Sequence, residues 1–137
     1  GISDPGVHLV NQILEKKLDV KVVSVPGASS VTAAFSIAGI VGNQFSFLGF
    51  IPQKKGRKTF FEQLQHASTP TMFLESTHRI MKTFQSLAEY CPKKQIVVAR
   101  EMTKMHEEVV RGNAEESVAY FTEHTDHQKG EFVVIVG

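Results

Sequence analysis

The chain has 137 residues, with 15 Lys and Arg against 14 Asp and Glu, a net charge of +1 and 42% hydrophobic residues. This hydrophobic content is too high for a disordered chain, and the length suits one folded domain. The near-zero net charge excludes bulk basicity as an argument for nucleic-acid binding, so such an argument depends on where the charges lie. No run of 18 apolar residues is present, which excludes a membrane-spanning helix.

The single cysteine indicates in which cellular compartment the protein is expected. The first residues indicate whether the chain is a segment of a larger protein. The single cysteine, Cys91, cannot form an internal disulfide, so nothing requires an oxidising compartment and we expect a cytoplasmic protein. Residues 1–6 contain no basic segment followed by an apolar one, so we expect no signal peptide. They are turn residues without an initiator Met, which favours a segment of a larger protein.

The first 25 residues predict a helix followed by a strand. Asp4 can cap the free N–H groups of a helix, and Pro5 at the first helical position has no N–H to leave unpaired. Apolar residues then follow helical spacing as far as Leu18. The β-branched run at residues 20–25 predicts a mostly buried strand, which Pro26 and the following glycine end.

The rest of the chain alternates between helical and strand patterns. Ser29 or Ser30 can cap a second helix, which Gly39 ends. Five strands with helices between most of them indicate an α/β fold, although the order and direction of the strands cannot be read from the pattern. From residue 45 onward the pattern predicts strands at 45–50, 71–74, 95–99 and 131–136, and helices at 60–65, 80–88 and 115–124.

Polar residues cluster before the first predicted helix and after two predicted strands. The three clusters are Ser3-Asp4, residues 75–79 and residues 100–104. In open α/β sheets, ligands bind in the crevice beyond the carboxyl ends of strands, so these clusters are candidate ligand-binding residues. Helix capping explains each cluster equally well when it is taken singly, since Ser76 and Thr77 are ordinary capping residues.

A basic segment follows the predicted strand at residues 45–50. Lys54, Lys55, Arg57 and Lys58 place four cations within five residues, and Gly56 would keep the loop mobile. Such a patch can neutralise phosphates, as RNA binding requires. The alternative is a solvated loop that leads into a helix, and spacing alone favours this alternative.

Other motifs do not identify a reaction. His106-Glu107-Glu108 resembles the start of a zinc motif, but the position that needs a second histidine is Val110. His124 and His127 are typical of a surface pair, so we expect no metal site. The sequence contains no glycine-rich phosphate loop and no nucleophile elbow. From the residues alone, the chain is a ligand-binding α/β domain with one basic loop.

Five ordered segments give a more specific indication. In this order and spacing they resemble the ribosomal RNA small subunit methyltransferase I family, within the tetrapyrrole methylase superfamily, and the resemblance covers essentially the whole chain. The segments are residues 2–6, 25–30, 47–54, 74–79 and 99–108, the last followed by Arg111-Gly112.

The resemblance implies a fold and an activity. The fold would be α/β, with a mixed five-stranded sheet flanked by helices, as in the carboxyl-terminal domain of tetrapyrrole methylases. Residues 1–25 would be the tail of the amino-terminal cofactor-binding domain, and residues 26–137 the carboxyl-terminal domain. The family uses S-adenosylmethionine to methylate the 2′-hydroxyl of a cytidine in small-subunit rRNA, and its members form homodimers. The resemblance therefore implies rRNA and a second copy of the chain as partners.

The resemblance also assigns candidate site residues. The proton of the ribose hydroxyl would pass to Glu101 or Glu107, with His106 a weaker candidate, and Lys104 belongs to the same set. An alternative is that Glu101, Lys104 and Glu107 form ion pairs that hold the segment after Arg100. The cofactor set is Ser3, Asp4, Pro5, Ser29, Ser30, Leu74, Glu75 and Gly130. The RNA set is Lys54, Lys55, Arg57, Lys58, His78, Arg79, Arg100 and Arg111.

Two other functions stay open at this point. A sibling enzyme that methylates a tetrapyrrole would have the same fold and would need no cationic loop. The chain could also be a noncatalytic binding or dimerisation fragment, because half of the expected cofactor pocket is absent from it.

Overall fold

In the computed structural model, residues 2–137 form five α-helices and a five-stranded sheet, while Gly1, the first residue of the expected tail, lies outside the described residues. No helix within this range is long and apolar enough to cross a membrane. The helices are α1 (Gly6–Glu15), α2 (Ser30–Ala38), α3 (Arg57–His66), α4 (Ile80–Tyr90) and α5 (Ala114–Glu123). Their positions confirm the five predicted helices.

The local sequence explains where these helices begin and end. Oδ1 of Asp4 accepts a hydrogen bond from the first helical N–H of α1, at Gly6, over 2.8 Å. Gly39 ends α2 with a φ of 74°, a left-handed conformation that favours glycine. At α5, Asn113 and Glu116 each accept a bond from the other's backbone N–H, which forms a capping box.

The strands form one mixed sheet, as expected. They are β1 (Ser46–Phe50), β2 (Thr71–Ser76), β3 (Ile96–Arg100), β4 (Glu108–Gly112) and β5 (Glu131–Val136), in the spatial order β1-β2-β5-β3-β4. β1 and β2 are parallel, whereas β5 runs antiparallel to both of its neighbours, β2 and β3. The carboxyl ends of β1, β2 and β3 therefore lie beside the amino ends of β4 and β5 at one end of the sheet.

Helices cover both faces of the sheet and enclose two apolar cores. α2 packs on one face through Ala34 and Ala38, whose small side chains let the helix approach the sheet closely. α3, α4 and α5 cover the other face, where aromatic side chains fill the larger core. Phe84 of α4 stacks on Phe121 of α5 with ring centroids 5.0 Å apart.

Two strand predictions differ from the structure. Residues 20–25 form no strand, because they pair with no other strand among residues 2–137, and Val23 and Val25 are 63% and 86% exposed. A β-branched run becomes a strand only where backbone partners are available. β4 was not predicted, because it ends in a glycine and lies at the sheet edge with half-buried side chains. The predicted number of strands was right, with one wrong member.

Candidate functional site

An open cavity of about 550 Å³ lies at the end of the sheet where the parallel strands β1 and β2 finish. Its position agrees with the expectation that ligands bind beyond the carboxyl ends of strands. Its walls combine apolar side chains with hydroxyl and carboxylate groups, a mixture typical of small-molecule sites. The lining residues are Ile2, Ser3, Asp4, Ser30, Phe50, Leu74, Glu75, Ser76, Thr77, His78, Met102, Gly130, Glu131, Phe132 and Val133.

Most of the expected cofactor residues lie in this cavity. Six of the eight line it, and they come from four parts of the chain that are far apart in sequence. The six are Ser3, Asp4, Ser30, Leu74, Glu75 and Gly130. Pro5 and Ser29 are neighbours of lining residues but do not line the cavity themselves. Ser29 occupies the cap position of α2, where its hydroxyl makes no capping hydrogen bond.

Glu75 forms part of the cavity wall, but its carboxylate is used within the protein. Its side chain is fully buried, and Oε1 lies 2.8 Å from Nε of Arg79 and accepts a 2.8 Å bond from the N–H of Ser76. Oε2 accepts a 2.8 Å bond from the hydroxyl of Thr83. A buried charge is tolerated when it is paired and hydrogen-bonded in this way. Glu75 and Arg79 therefore hold the wall of the site in place.

Arg57, which was expected to contact RNA, is turned inward. Its Nη2 donates a 3.1 Å hydrogen bond to Thr83, and its guanidinium lies 5.0 Å from the ring centroid of Phe61. Burial lowers the pKa of Arg57 below its ordinary value, against the opposing effect of nearby Glu75. The guanidinium thus extends the network around Glu75, away from any ligand in solution.

The other cations of the basic segment face solvent. Lys54 and Lys55 are exposed in the loop between β1 and α3, which begins at the same end of the sheet as the cavity. Lys58 makes an ion pair with Glu62 at 3.7 Å, and the pair contributes little to stability because both side chains are exposed. Three of the four predicted cations are therefore available to an external phosphate.

Arg111 lies away from the cavity. It pairs in register with Val97, near the opposite end of the sheet from the cavity. Its Nε donates a 3.3 Å bond to the carbonyl of Ala38, and its Nη2 donates to the carbonyl of Ile37. A cation at the carboxyl end of a helix stabilises the free carbonyls there, so Arg111 acts as a cap on α2.

Thr77 joins the loops that flank the cavity. Its hydroxyl donates to the carbonyl of Gly130 over 3.0 Å and accepts from the N–H of the same residue over 2.9 Å. Gly130 has a φ of 123°, and a Cβ there would lie 2.7 Å from Cγ of Glu101. Only glycine fits this position, because both the backbone conformation and the space exclude a side chain.

The loop between β3 and β4 contains the three expected catalytic residues. Nζ of Lys104 lies 2.9 Å from the carboxylates of both Glu101 and Glu131, and Oε2 of Glu107 accepts a 2.5 Å bond from the N–H of Thr103. The hydrogen bond from Lys104 is the largest effect that lowers the pKa of Glu101. Glu101, Lys104 and Glu107 do not line the 550 Å³ cavity, and their contacts fit the alternative of a loop held by ion pairs.

The loop is bent into an uncommon backbone conformation. Glu101 and Thr103 have φ values of 50° and 66°, which non-glycine residues adopt rarely. Met102 lies between them and is directed into the wall of the cavity, where it is 8% exposed. The ion pairs of the loop therefore position a cavity residue.

His78 lines the 550 Å³ cavity, whereas Arg100 lines a second cavity. Arg100 lines a cavity of about 500 Å³, together with Glu101, His106 and His127. Nδ1 of His127 lies 3.0 Å from both carboxylate oxygens of Glu108. Among residues 2–137, no group of three or more His, Cys, Asp or Glu side chains is placed to hold a metal ion.

Sequence reasoning missed several cavity residues. Thr77 and Met102 fall within segments that were singled out, but nothing in the pattern distinguished them from their neighbours. Phe132 and Val133 reach the cavity because β5 runs antiparallel to β2, which brings its first residues beside the end of β2. Strand direction cannot be read from a run of apolar residues, so the sequence offered no signal for them.

Solved structures of other proteins share this fold. Two methyltransferase structures match 96% or more of the chain. The structure of the methyltransferase CobJ has a TM-score of 0.68 at 19% identity, over 100% of this chain and 60% of that one. Uroporphyrin-III C-methyl transferase from Thermus thermophilus, complexed with S-adenyl homocysteine, has a TM-score of 0.61 at 19% identity, over 96% of this chain and 58% of that one.

Sequence similarity identifies the family of the chain. Residues 1–117 match the family described as Tetrapyrrole (Corrin/Porphyrin) Methylases, and the chain belongs to that family. It is 35% identical over 120 residues to the ribosomal RNA small subunit methyltransferase I of Thermotoga maritima, a match that covers 88% of this chain and 53% of the relative. The chain spans about half the length of the curated relatives it matches.

Proposed function

We propose that this chain is the carboxyl-terminal part of an S-adenosylmethionine-dependent methyltransferase that methylates the ribose 2′-hydroxyl of a cytidine in small-subunit rRNA. The observation that carries the proposal is the 550 Å³ cavity, which gathers six of the eight residues expected to contact the cofactor. The relative from Thermotoga maritima is named as a ribosomal RNA small subunit methyltransferase. The exposed lysines at the same end of the sheet suit an RNA substrate.

The cavity offers groups suited to the adenine, the ribose and the carboxylate of the expected cofactor. Leu74, Phe132 and Val133 offer apolar walls to the adenine ring, and Ser3 and Asp4 offer polar groups to the ribose. Ser30 begins α2, whose free N–H groups suit a carboxylate, because anions bind favourably at a helix amino terminus. The cofactor supplies a methyl group activated by a neighbouring sulfonium charge.

The chain's own residues contribute positioning. Alignment of an acceptor hydroxyl with a methyl group supplies much of the rate enhancement in such a transfer. The network around Glu75 and the bond between Thr77 and Gly130 hold the cavity walls in fixed positions. We assign Glu101, Lys104 and Glu107 to positioning Met102, since their charged groups are bound within the loop and to Glu131 of β5.

The domain organisation follows from the same proposal. Residues 2–25 expose apolar side chains that a further domain would cover, as expected for the tail of an amino-terminal domain. Residues 26–137 would form the carboxyl-terminal domain. We expect a homodimer in the cytoplasm on the basis of family resemblance.

The test is methyl transfer by the full-length protein from labelled S-adenosylmethionine to purified small ribosomal subunits. We expect the label on the ribose of one cytidine. Replacement of Lys54, Lys55 and Lys58 by Ala should weaken RNA binding and flatten its salt dependence, with cofactor affinity unchanged. Lys93→Ala, an exposed lysine at the opposite end of the sheet, is the control. Failure to label rRNA would contradict the proposal.

The structural neighbours favour one alternative strongly enough to test it. Uroporphyrin-III C-methyl transferase has the same fold, so a tetrapyrrole is the second candidate substrate. Label on a uroporphyrinogen-type substrate, with none on rRNA, would establish the alternative. A full-length protein that gives no heat of binding with S-adenosylmethionine would indicate a noncatalytic binding or dimerisation function.

A further inference from the structure

The second cavity, of about 500 Å³, has a composition of its own. It lies at the same end of the sheet as the first and shares Gly130 with it. The side chains around it are charged or imidazole groups, in contrast to the partly apolar walls of the first cavity. These side chains belong to Arg100, Glu101, His106, Asp126, His127 and Lys129.

Arg100 is the fixed element of this cavity. Its side chain is only 10% exposed, Nε donates to the carbonyl of Lys129 over 2.7 Å, and Nη1 donates to the carbonyl of His106 over 3.2 Å. Its Nη2 makes no hydrogen bond within residues 2–137. Since no side-chain nitrogen in that range is both fully buried and unpartnered, Nη2 is at least partly solvent-accessible, and Arg100 lines the cavity. A guanidinium held rigidly with a free donor is suited to oxyanion recognition.

The carboxylates near Arg100 are already engaged. Glu108 lies 3.7 Å from Nη1 of Arg100, and it also accepts from the hydroxyl of Tyr120 and faces His127. Glu101 is bound to Lys104 and accepts a 2.8 Å bond from the N–H of Glu131. No free carboxylate is therefore needed to satisfy Arg100, and its remaining donor stays open to a ligand.

Two further groups can complete an anion site. His127 presents Nδ1 to Glu108, which leaves the other ring nitrogen for the cavity, and its side chain is 40% exposed. Lys129 pairs with Asp126 at 3.3 Å, but both side chains are largely exposed, so this pair is weak and can be exchanged for a ligand. Arg100 supplies the fixed donor, and these two side chains supply adaptable ones.

We propose that the second cavity binds a phosphate group through Arg100, His127 and Lys129. The shared chemistry is a tetrahedral oxyanion, which comes either from the backbone of an RNA strand or from free phosphate. The proposal does not depend on methyl transfer. It adds a phosphate contact at a place separate from the lysines at positions 54, 55 and 58.

The test uses the full-length protein in two titrations, one with inorganic phosphate and one with a short single-stranded RNA over a range of salt concentrations. The test variant combines His127→Gln and Lys129→Ala, because Gln can still donate to Glu108 and Lys129 is exposed. The matched control combines His124→Gln and Lys93→Ala, two residues that do not line the cavity. Methyl transfer to small subunits is measured separately, so failure of the proposed function is recognised independently.

We expect the test variant to weaken binding roughly tenfold or more, since it removes two charge-assisted contacts. Weaker binding of inorganic phosphate would support a site for free phosphate. A loss seen only with RNA, with a salt slope lower by about one, would support a backbone phosphate. Equal affinities of the test and control variants for both ligands would overturn the proposal. Arg100→Lys, which keeps the charge but loses the second donor group, should show a weaker form of the same defect.

Discussion

Two regions of the chain differ in how many apolar side chains they expose. We call residues 2–29 the amino-terminal arm and residues 30–137 the α/β body. The arm contains ten exposed large apolar side chains and the much longer body contains five. Helix α1 has no buried residue, although its apolar residues follow helical spacing. An amphipathic pattern therefore predicts a helix correctly but does not identify the surface that the helix covers. We interpret the arm as part of an interface whose other side lies in another part of a longer protein.

The largest contrast is expected from core truncations. Phe84→Ala in the body should lower the free energy of unfolding by about 3–5 kcal/mol, because it removes a fully buried ring. Leu14→Ala in the arm, where Leu14 is 65% exposed, should change it by less than about 0.5 kcal/mol in this chain. Urea denaturation measures both.

The same pair of variants in the full-length protein tests the interface. If another domain covers the arm, Leu14→Ala should then cost about 2–5 kcal/mol. A full-length protein that is as insensitive to Leu14→Ala as the present chain would show that the arm is a solvent-exposed surface.

The second contrast concerns charge in the body. Glu75→Ala should destabilise by about 3–5 kcal/mol, because it leaves Arg79 and Arg57 partly buried without their anion. Glu62→Ala removes the carboxylate of an exposed pair with Lys58 and should cost less than about 1 kcal/mol. Thermal and urea unfolding of the two variants give the comparison, and equal losses would contradict the structural role given to the Glu75 network.

Helix caps provide a smaller test of the two regions. Asn113→Ala breaks the capping box of α5 in the body and should cost about 1 kcal/mol. Asp4→Ala removes the corresponding bond at α1, but α1 packs against no core, so the global unfolding transition should hardly move. Circular dichroism should show a small loss of helix for Asp4→Ala without a shift in the midpoint.

The smallest effect is a pH dependence in the loop between β3 and β4. Because Lys104 lowers the folded-state pKa of Glu101, the ionised carboxylate stabilises the fold above its unfolded pKa of about 4.3. This stabilisation is lost as the pH falls through the lower folded pKa. Lys104→Met should therefore reduce the acid sensitivity of unfolding below about pH 4.3 relative to the parent chain. Parallel acid-unfolding curves would argue against the ion pair.

Sequence reasoning located the helices well and the strands less well. The helices have strong local signals, such as Gly39 after α2 and Asn113 before α5. Strands depend on partners that the local sequence does not show. The β-branched run at 20–25 has none among residues 2–137, whereas the weaker pattern at 108–112 pairs with β3.

The site was predictable to a similar extent. The pattern makes three polar clusters candidate ligand-binding residues, and two of these clusters contribute Ser3, Asp4 and Glu75 to one cavity. The inward turn of Arg57 involves a tertiary contact with Thr83, whose hydroxyl in turn donates to the buried carboxylate of Glu75. The family resemblance places Arg111 in the RNA set, but the register of β4 carries it to α2. In both cases packing decided what a charged side chain contacts.

The most direct test of the central claim is calorimetric titration of the full-length protein with S-adenosylhomocysteine. Ser30→Trp places a large ring at the cavity wall, while Ser36→Trp places the same ring on an exposed position of α2 outside it. We predict tight binding by the parent protein and by Ser36→Trp, and loss of at least tenfold in affinity for Ser30→Trp. Equal affinities for the two variants would contradict the assignment of the 550 Å³ cavity to the cofactor.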